Sequence, residues 1–339
     1  MVGESGLDGT TILPAPLRQA VSVDGLAAVK AMHLALSSTK PQTAWLVSTG
    51  SLTNIALLFA LHPNLADHIA GLSVMGGAIG GFFTSAPIGR LNIRAQLASH
   101  LSSVLPTGLP DNSAMGVAEF AKQLRELGVV QNAGNVDDAE LQVLLHNARR
   151  SFGNTTDYAE FNIYCDPESA SSIFSNPRLA AKTTLIPLDV THQVLGNADV
   201  QKLLSNEYAG TDKFSASPVR HLFLEILTFF AQTYEREFAM SDGPPLHDPI
   251  AVAAAYAPEM FDDNGGERFE VFIVTSGEEQ IFEHQRITKG IGQCGRTVAR
   301  MVPKGHPGVR IPRSLQVTEF WQMVHLALAS ADAVSSMTF

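Results

Sequence analysis

The sequence predicts an α/β protein built on an open, mostly parallel sheet with helices on both faces. Apolar runs of strand length, such as "TAWLVSTG" and "HIAGLSVMGGAIGG", break into threonine or glycine turns. Segments with apolar residues at helical spacing alternate with them, as in Leu26 to Ser38 and "SLTNIALLFALHP". Strand, turn, helix, strand is the order a parallel sheet needs, because a helix supplies each crossover.

Each element follows in turn. The opening "GESGLDGTTILPAP" is acidic and glycine-rich, and predicts a loop running into a short strand. Leu26 to Ser38 is a helix, "TAWLVSTG" a buried strand, and "SLTNIALLFALHP" a helix capped by Ser51 or Thr53. "HIAGLSVMGG" is a second buried strand. Between residues 82 and 152 the periodicity wanders, then yields the amphipathic pair "GVAEFAKQLRELG" and "DDAELQVLLHNARRSF". A structureless loop of that size is unusual in a compact domain, so this stretch predicts a helical insertion within a single domain spanning 1–339.

"YAEFNIYCDPESA" reads as a short extended run in which Glu160 and Asn162, at i and i+2, share one face. Asp166, Pro167 and Glu168 then supply an N-cap, a first-turn proline and an acid that suits the helix dipole. Strands are expected at Thr183 to Thr191 and Arg268 to Gly277. Helices are expected at "PVRHLFLEILTFFAQTYERE" and "SLQVTEFWQMVHLALASADA".

Composition narrows the classes. A net charge of −10 argues against nucleic-acid backbones and anionic membranes as partners, but not against a small uncharged nucleoside. Only Cys165 and Cys294 are present, so no disulfide framework is implied. No apolar run approaches the roughly 18 residues of a membrane span, and no secretory pattern opens the chain. A cytoplasmic setting is the expectation.

Open parallel sheets bind ligands beyond the C-terminal ends of their strands. The turns placed there are Ser48-Thr49-Gly50, Met75-Gly76-Gly77, Glu160-Phe161-Asn162 and His247-Asp248. Each has a plainer reading. Glu160 and Asn162 alone suit a solvated face, Asp248 before Pro249 suits a helix cap, and Tyr234 suits a helix-face aromatic. Asp189 and Cys165 read as structural. The glycines of "MGGAIGG" do not fall as the G-x-G-x-x-G of a dinucleotide loop.

Four stretches together say more. "GESGLDG", "STGSLTNIALLFALHPNLADHI" with "VMGGA", "AEFNIYCDPESA" and "LHDPIAV" resemble, in that order, the inosine–uridine-preferring nucleoside N-ribohydrolases, the fungal uridine or purine nucleosidases in particular. "LIPLDVTHQ" and "QCGRTVAR" fit the same pattern. The resemblance implies hydrolysis of the N-glycosidic bond of purine or pyrimidine ribonucleosides to base and ribose, in salvage or catabolism, by a homo-oligomer using Ca²⁺. It assigns ribose contacts to Met75, Asn154, Glu160 and Asn162. It makes His247 the acid on the base side, and Asp248 and the Thr49 carbonyl Ca²⁺ ligands.

The family's Asp-rich opening strand end, D-T-D-P-G-x-D-D, has no counterpart in this sequence, and the chain is expected to be N-terminally truncated. That motif carries further Ca²⁺ ligands and the water-activating carboxylate, so weak Ca²⁺ binding and little turnover are expected of the chain by itself. The alternatives are a non-catalytic nucleoside or ribose binder that keeps Glu160, Asn162 and Asn154, and an interaction protein that uses the insertion.

Overall fold

Strand β2 (Gly71–Met75) is buried along its whole length and organises the sheet. In the computed structural model it lies between β1 (Trp45–Ser48) and β3 (Thr183–Ile186), parallel to both. The model describes residues 26–80, 83–84, 86, 88, 152–205, 217–238, 240–276, 281–283, 286–288 and 292–334. The opening segment and nearly all of the expected 82–152 insertion lie outside these residues.

Helix α1 (Ala27–Ser37) leads to β1, then α2 (Thr53–Leu61), the single turn α3 (Leu65–His68) and β2. Helix α2 begins after Leu52, and neither Ser51 nor Thr53 caps it. Burial of Leu52 decides that start, while the Thr53 hydroxyl donates to Asp166 instead. Farther along, α4 (Phe161–Cys165), α5 (Pro167–Phe174) and α6 (Pro177–Ala180) precede β3. Asp166 caps α5 by accepting the Ser169 N–H at 2.9 Å, with Pro167 in the first turn, as the sequence predicts.

Two expectations change here. The run from Glu160 to Asn162 is not extended: Glu160 has β-region angles, but the helix begins at Phe161. Side-chain oxygens of Asn154 and Glu160 take up the first N–H groups of α4, and that capping outweighs the alternating pattern. Strand β3 stops at Ile186 rather than Thr191, because Pro187 has no N–H for the ladder and the chain turns into α7 (Leu188–Thr191).

Helices cover both faces of the sheet. Leu72 and Val74 of β2 and Leu185 of β3 pack in one apolar cluster with Ile55 and Leu58 of α2 and Ile173 and Phe174 of α5. On the other face, the Ser73 hydroxyl donates to the Ala251 carbonyl at 2.7 Å. That carbonyl belongs to α10 (Asp248–Tyr256), which buries Ile250, Ala251, Ala253 and Ala254.

The sheet continues beyond β3 through a narrow seam. Thr184 pairs parallel with Arg310, and Val309 pairs antiparallel with Phe269. Phe269 opens β5 (Phe269–Ile273), whose other edge pairs antiparallel with β8 (Thr297–Met301). Short antiparallel pairs join β4 (Phe261–Asp262) to β9 (Ser314–Leu315) and β6 (Ile281–Glu283) to β7 (Arg286–Thr288).

The chain divides into two compact units. The sheet and its helices form one. The described part of the other contains α8 (Ala198–Ser205), α9 (Pro218–Phe238) and α11 (Val317–Val334). Buried Arg220 joins all three helices: it donates to Asp332 at 2.6 Å, to the Leu204 carbonyl at 2.7 Å and to the His325 carbonyl at 3.4 Å.

Candidate active site

Sheet register sets the site's position. Ser48 pairs with Val74, and Met75 with Ile186, so Thr49, Gly76-Gly77 and Pro187-Leu188 leave the sheet at one edge, the C-terminal one. Gly77 has φ +80, and a Cβ there would come within 2.8 Å of the Thr297 hydroxyl, so only glycine suits this turn.

Glu160 meets that turn from α4. Its Oε2 accepts the Gly77 N–H at 2.8 Å and the Ile163 N–H at 3.1 Å, while Oε1 accepts the Asn162 N–H at 2.8 Å. Asn154 accepts the Phe161 N–H at 3.0 Å. Asn162 reaches back across the turn and donates to the Met75 carbonyl at 3.1 Å and its sulfur at 3.3 Å. Met75, Asn154, Glu160 and Asn162 are thus brought together. The reason is a cap and a turn rather than the face of a strand.

Electrostatics tie Asp248 to this group. Glu160 is only 2% exposed, and its burial pushes the carboxyl above its usual range. The N–H groups of Asn162, Gly77 and Ile163 pull it back in part, and the charge of Asp248 raises it further. Partial desolvation raises Asp248, which stays exposed at its surface. Thr49, exposed just past β1, joins the group only by sharing the sheet edge.

His247 occupies the N-cap position of α10 without capping it. Its Nδ1 lies 2.8 Å from the Thr191 hydroxyl, and its ring centroid 5.6 Å from that of His192. Burial, and then proximity to His192, push its pKa down to about 3, so the imidazole is neutral at pH 7. The sequence gives no sign of this Thr191–His247 contact, since 56 residues separate the partners.

Asp189 is structural, as expected. Its carboxylate accepts the N–H groups of Ile79 at 2.8 Å and Gly80 at 3.0 Å, fixing the glycine-rich segment after β2. Cys165 and Cys294 are free thiols. Tyr234 lies half-buried on α9 in the helical unit.

The oxygen donors Asp248 and Thr49 suit a hard cation in kind but not in number, since Ca²⁺ takes about 6 to 8 oxygens. Among the described residues no three acidic, histidine or cysteine side chains converge as a metal site.

Known proteins share this arrangement of elements. A uridine nucleosidase of Saccharomyces cerevisiae is 25% identical over 342 residues, covering 99% of this chain and 74% of its own length. A pyrimidine-specific ribonucleoside hydrolase, RihA, of Escherichia coli is 29% identical over 262 residues, 76% of this chain; the chain spans about half of that relative, 55%. Among solved structures, a purine-preferring ribonucleoside hydrolase from Gardnerella vaginalis superposes with a TM-score of 0.60 at 18% identity, over 98% of this chain and 73% of its own. At that identity the likeness speaks for the fold. The model of the inosine-uridine preferring nucleoside hydrolases matches residues 1–322, and the chain belongs to that family.

Proposed function

We propose that this chain acts as a ribonucleoside N-ribohydrolase, which releases free base and ribose from purine or pyrimidine nucleosides. The observation that carries this reading is the convergence of Asn154, Glu160 and Asn162 on the Met75–Gly77 turn at the C-terminal sheet edge. Its similarity to a uridine nucleosidase and to a pyrimidine-specific ribonucleoside hydrolase supports the same chemistry.

Breaking an N-glycosidic bond builds positive charge on the ribose, and fixed carboxylates and dipoles stabilise that charge. Glu160 suits this role because backbone N–H groups hold it in place. Its Oε1 accepts one N–H and keeps capacity for a ribose hydroxyl. Asp248 adds a second negative group within electrostatic reach.

His247 serves the departing base. In the tautomer whose Nδ1 accepts from the Thr191 hydroxyl, the ring proton is on Nε2 and the imidazole is a hydrogen-bond donor for the base. A neutral imidazole stabilises the leaving base as a donor rather than as a store of free protons.

Ca²⁺ belongs to the proposal, with Asp248 and the Thr49 carbonyl among its oxygen ligands. A homo-oligomer and a cytosolic setting complete it. No helix among the described residues is long and apolar enough to cross a membrane. The test is absorbance-monitored loss of uridine and inosine, with and without Ca²⁺, beside an Asn154→Ala variant. Turnover of either nucleoside that weakens in the variant supports the proposal. Turnover of neither overturns it.

A further inference from the structure

Arg296 has been given no role so far, yet it grips the loop that carries Asn154 and leads into Glu160. That loop begins at Phe152 and closes on itself, with the N–H groups of Phe152 and Gly153 donating to the Asp157 carbonyl at 2.8 and 3.0 Å. Asn154 lies within it, and Tyr158 and Ala159 lead out of it into Glu160. The rings of Phe152 and Tyr158 meet edge to face at the loop's two ends, 5.8 Å between centroids.

The Arg296 guanidinium carbon sits 5.6 Å from each of those ring centroids. The Gln293 side chain accepts from its NH1 group and orients the plane. Its backbone forms an antiparallel bridge with Ala159, the residue before Glu160. The preceding Gly295, at φ +84, allows this approach: a Cβ there would lie 3.0 Å from both the Ala159 Cβ and the Tyr164 Cα. Arg296 is itself fixed to the end of β5, since its carbonyl accepts the Val274 N–H at 3.0 Å.

We infer that Arg296 is a positioning residue, clasping both ends of the Phe152–Ala159 loop so that Asn154 and Glu160 hold the register in which ribose hydroxyls are read. The planar cation draws on both aromatic faces, and the backbone bridge sets the point where the chain enters α4. An ordinary surface arginine would contribute solubility and a little stability. This one connects the antiparallel ribbon to the sugar-reading residues. The inference rests on the proposed nucleoside hydrolysis for its functional consequence, but its structural half stands apart from it.

The experiment compares wild type, Arg296→Ala and Arg296→Lys in the full chain, by amide hydrogen exchange and by kcat/KM. Substrates are uridine and inosine with their 2′-deoxy and 5′-deoxy analogues. In Arg296→Ala, exchange over 153–163 should quicken by about tenfold while β1, β2 and β3 keep their protection. Preference for the ribonucleoside over at least one deoxy analogue should fall by about tenfold as the contacts go out of place. Lysine keeps the charge but loses the planar stack, so Arg296→Lys should fall between the two, and it decides the matter where alanine does not fold. Unchanged exchange over 153–163, or equal loosening of the whole sheet, overturns the clasp. Local loosening with both preferences intact overturns the positioning role. A wild-type chain that turns over neither nucleoside counts against the proposed function, and exchange alone then decides on the clasp.

Discussion

Glu160 and Gly77 are joined by a buried hydrogen bond of 2.8 Å, from the Gly77 N–H to Oε2, which links the end of β2 to the start of α4. One carboxylate thus completes both a turn and a helix cap. In the proposed function it also reads the sugar, which would couple stability to recognition at this residue.

Replacing Glu160 by glutamine is therefore expected to lower stability as well as activity, where the family resemblance alone points to recognition only. Glutamine turns an NH₂ toward a backbone N–H at one of the two oxygen positions. A buried donor left unmatched costs about 1 to 3 kcal/mol. Asn162→Ala, which removes a half-buried donor to Met75, should lose about 0.5 to 1.5 kcal/mol and a larger share of riboside kcat/KM. Urea denaturation beside the kinetic assay checks both, and equal stability losses in the two variants would contradict the coupling.

His247→Ala, by removing a hydrogen-bond donor to the departing base, should slow nucleosides with poor leaving groups by on the order of 10² to 10³. Activated substrates such as a p-nitrophenyl riboside should lose far less. Single-substrate kinetics for inosine and the activated riboside measure the ratio, and equal losses would remove His247 from the leaving-group side.

Asp189→Ala should destabilise the sheet-bearing unit, because it strips the acceptor from two N–H groups on the segment after β2. At about 1 to 3 kcal/mol for each stranded donor, the loss falls among the large single-site effects. The check is a denaturant midpoint, read with Asp189→Asn as the milder partner.

Asp166 gives the expected acid dependence. Burial raises its pKa, but the Thr53 hydroxyl and the Ser169 N–H and hydroxyl outweigh that, and the net value lies below the ordinary 3.8. A depressed carboxyl contributes its stability in full above the unfolded pKa and loses it as pH falls through the folded one. Asp166→Ala should thus cost about 1 kcal/mol at pH 7, typical of a lost N-cap. The gap to wild type should close below pH 3.8. Denaturation curves at neutral and acid pH would show the narrowing, and a constant gap would mean the cap does not depend on ionisation.

Much of this architecture is legible in the chain because periodic segments announce themselves. The apolar strand Gly71–Met75 with its glycine break, the apolar run of α10 and the Asp166-Pro167 cap follow from local rules. The cap expected at Asp248 does not form, because the helix starts one residue early and leaves His247 at the N-cap position. The cap on α4 is hidden because glutamate is an uncommon capping residue and its partners include Gly77, which is 83 residues away. Thr191 against His247 and Arg296 against Phe152 are likewise contacts between distant segments, and no spacing within a segment encodes them. The Val309-Arg310 seam escapes notice because a pairing that short has no period to detect.

That seam constrains how the chain can drift. Phe269 pairs with Met301 on one edge of β5 and with Val309 on the other, so residues 302–308 pass around the end of β5 to reach its far side. Deleting one residue from this crossing would slide Val309 and Arg310 by one place, and a slip of one turns every following side chain to the opposite face. Arg310 would then lose the Asp263 carboxylate and the carbonyls of Pro258 and Phe261 that it now holds. Two glycines are held in this crossing: Gly305, at φ +86, and Gly308, where a Cβ would lie 2.9 Å from the Phe269 carbonyl oxygen. Apart from them the crossing can change its composition while its length stays fixed, so that among relatives substitutions should accumulate there and gaps should not.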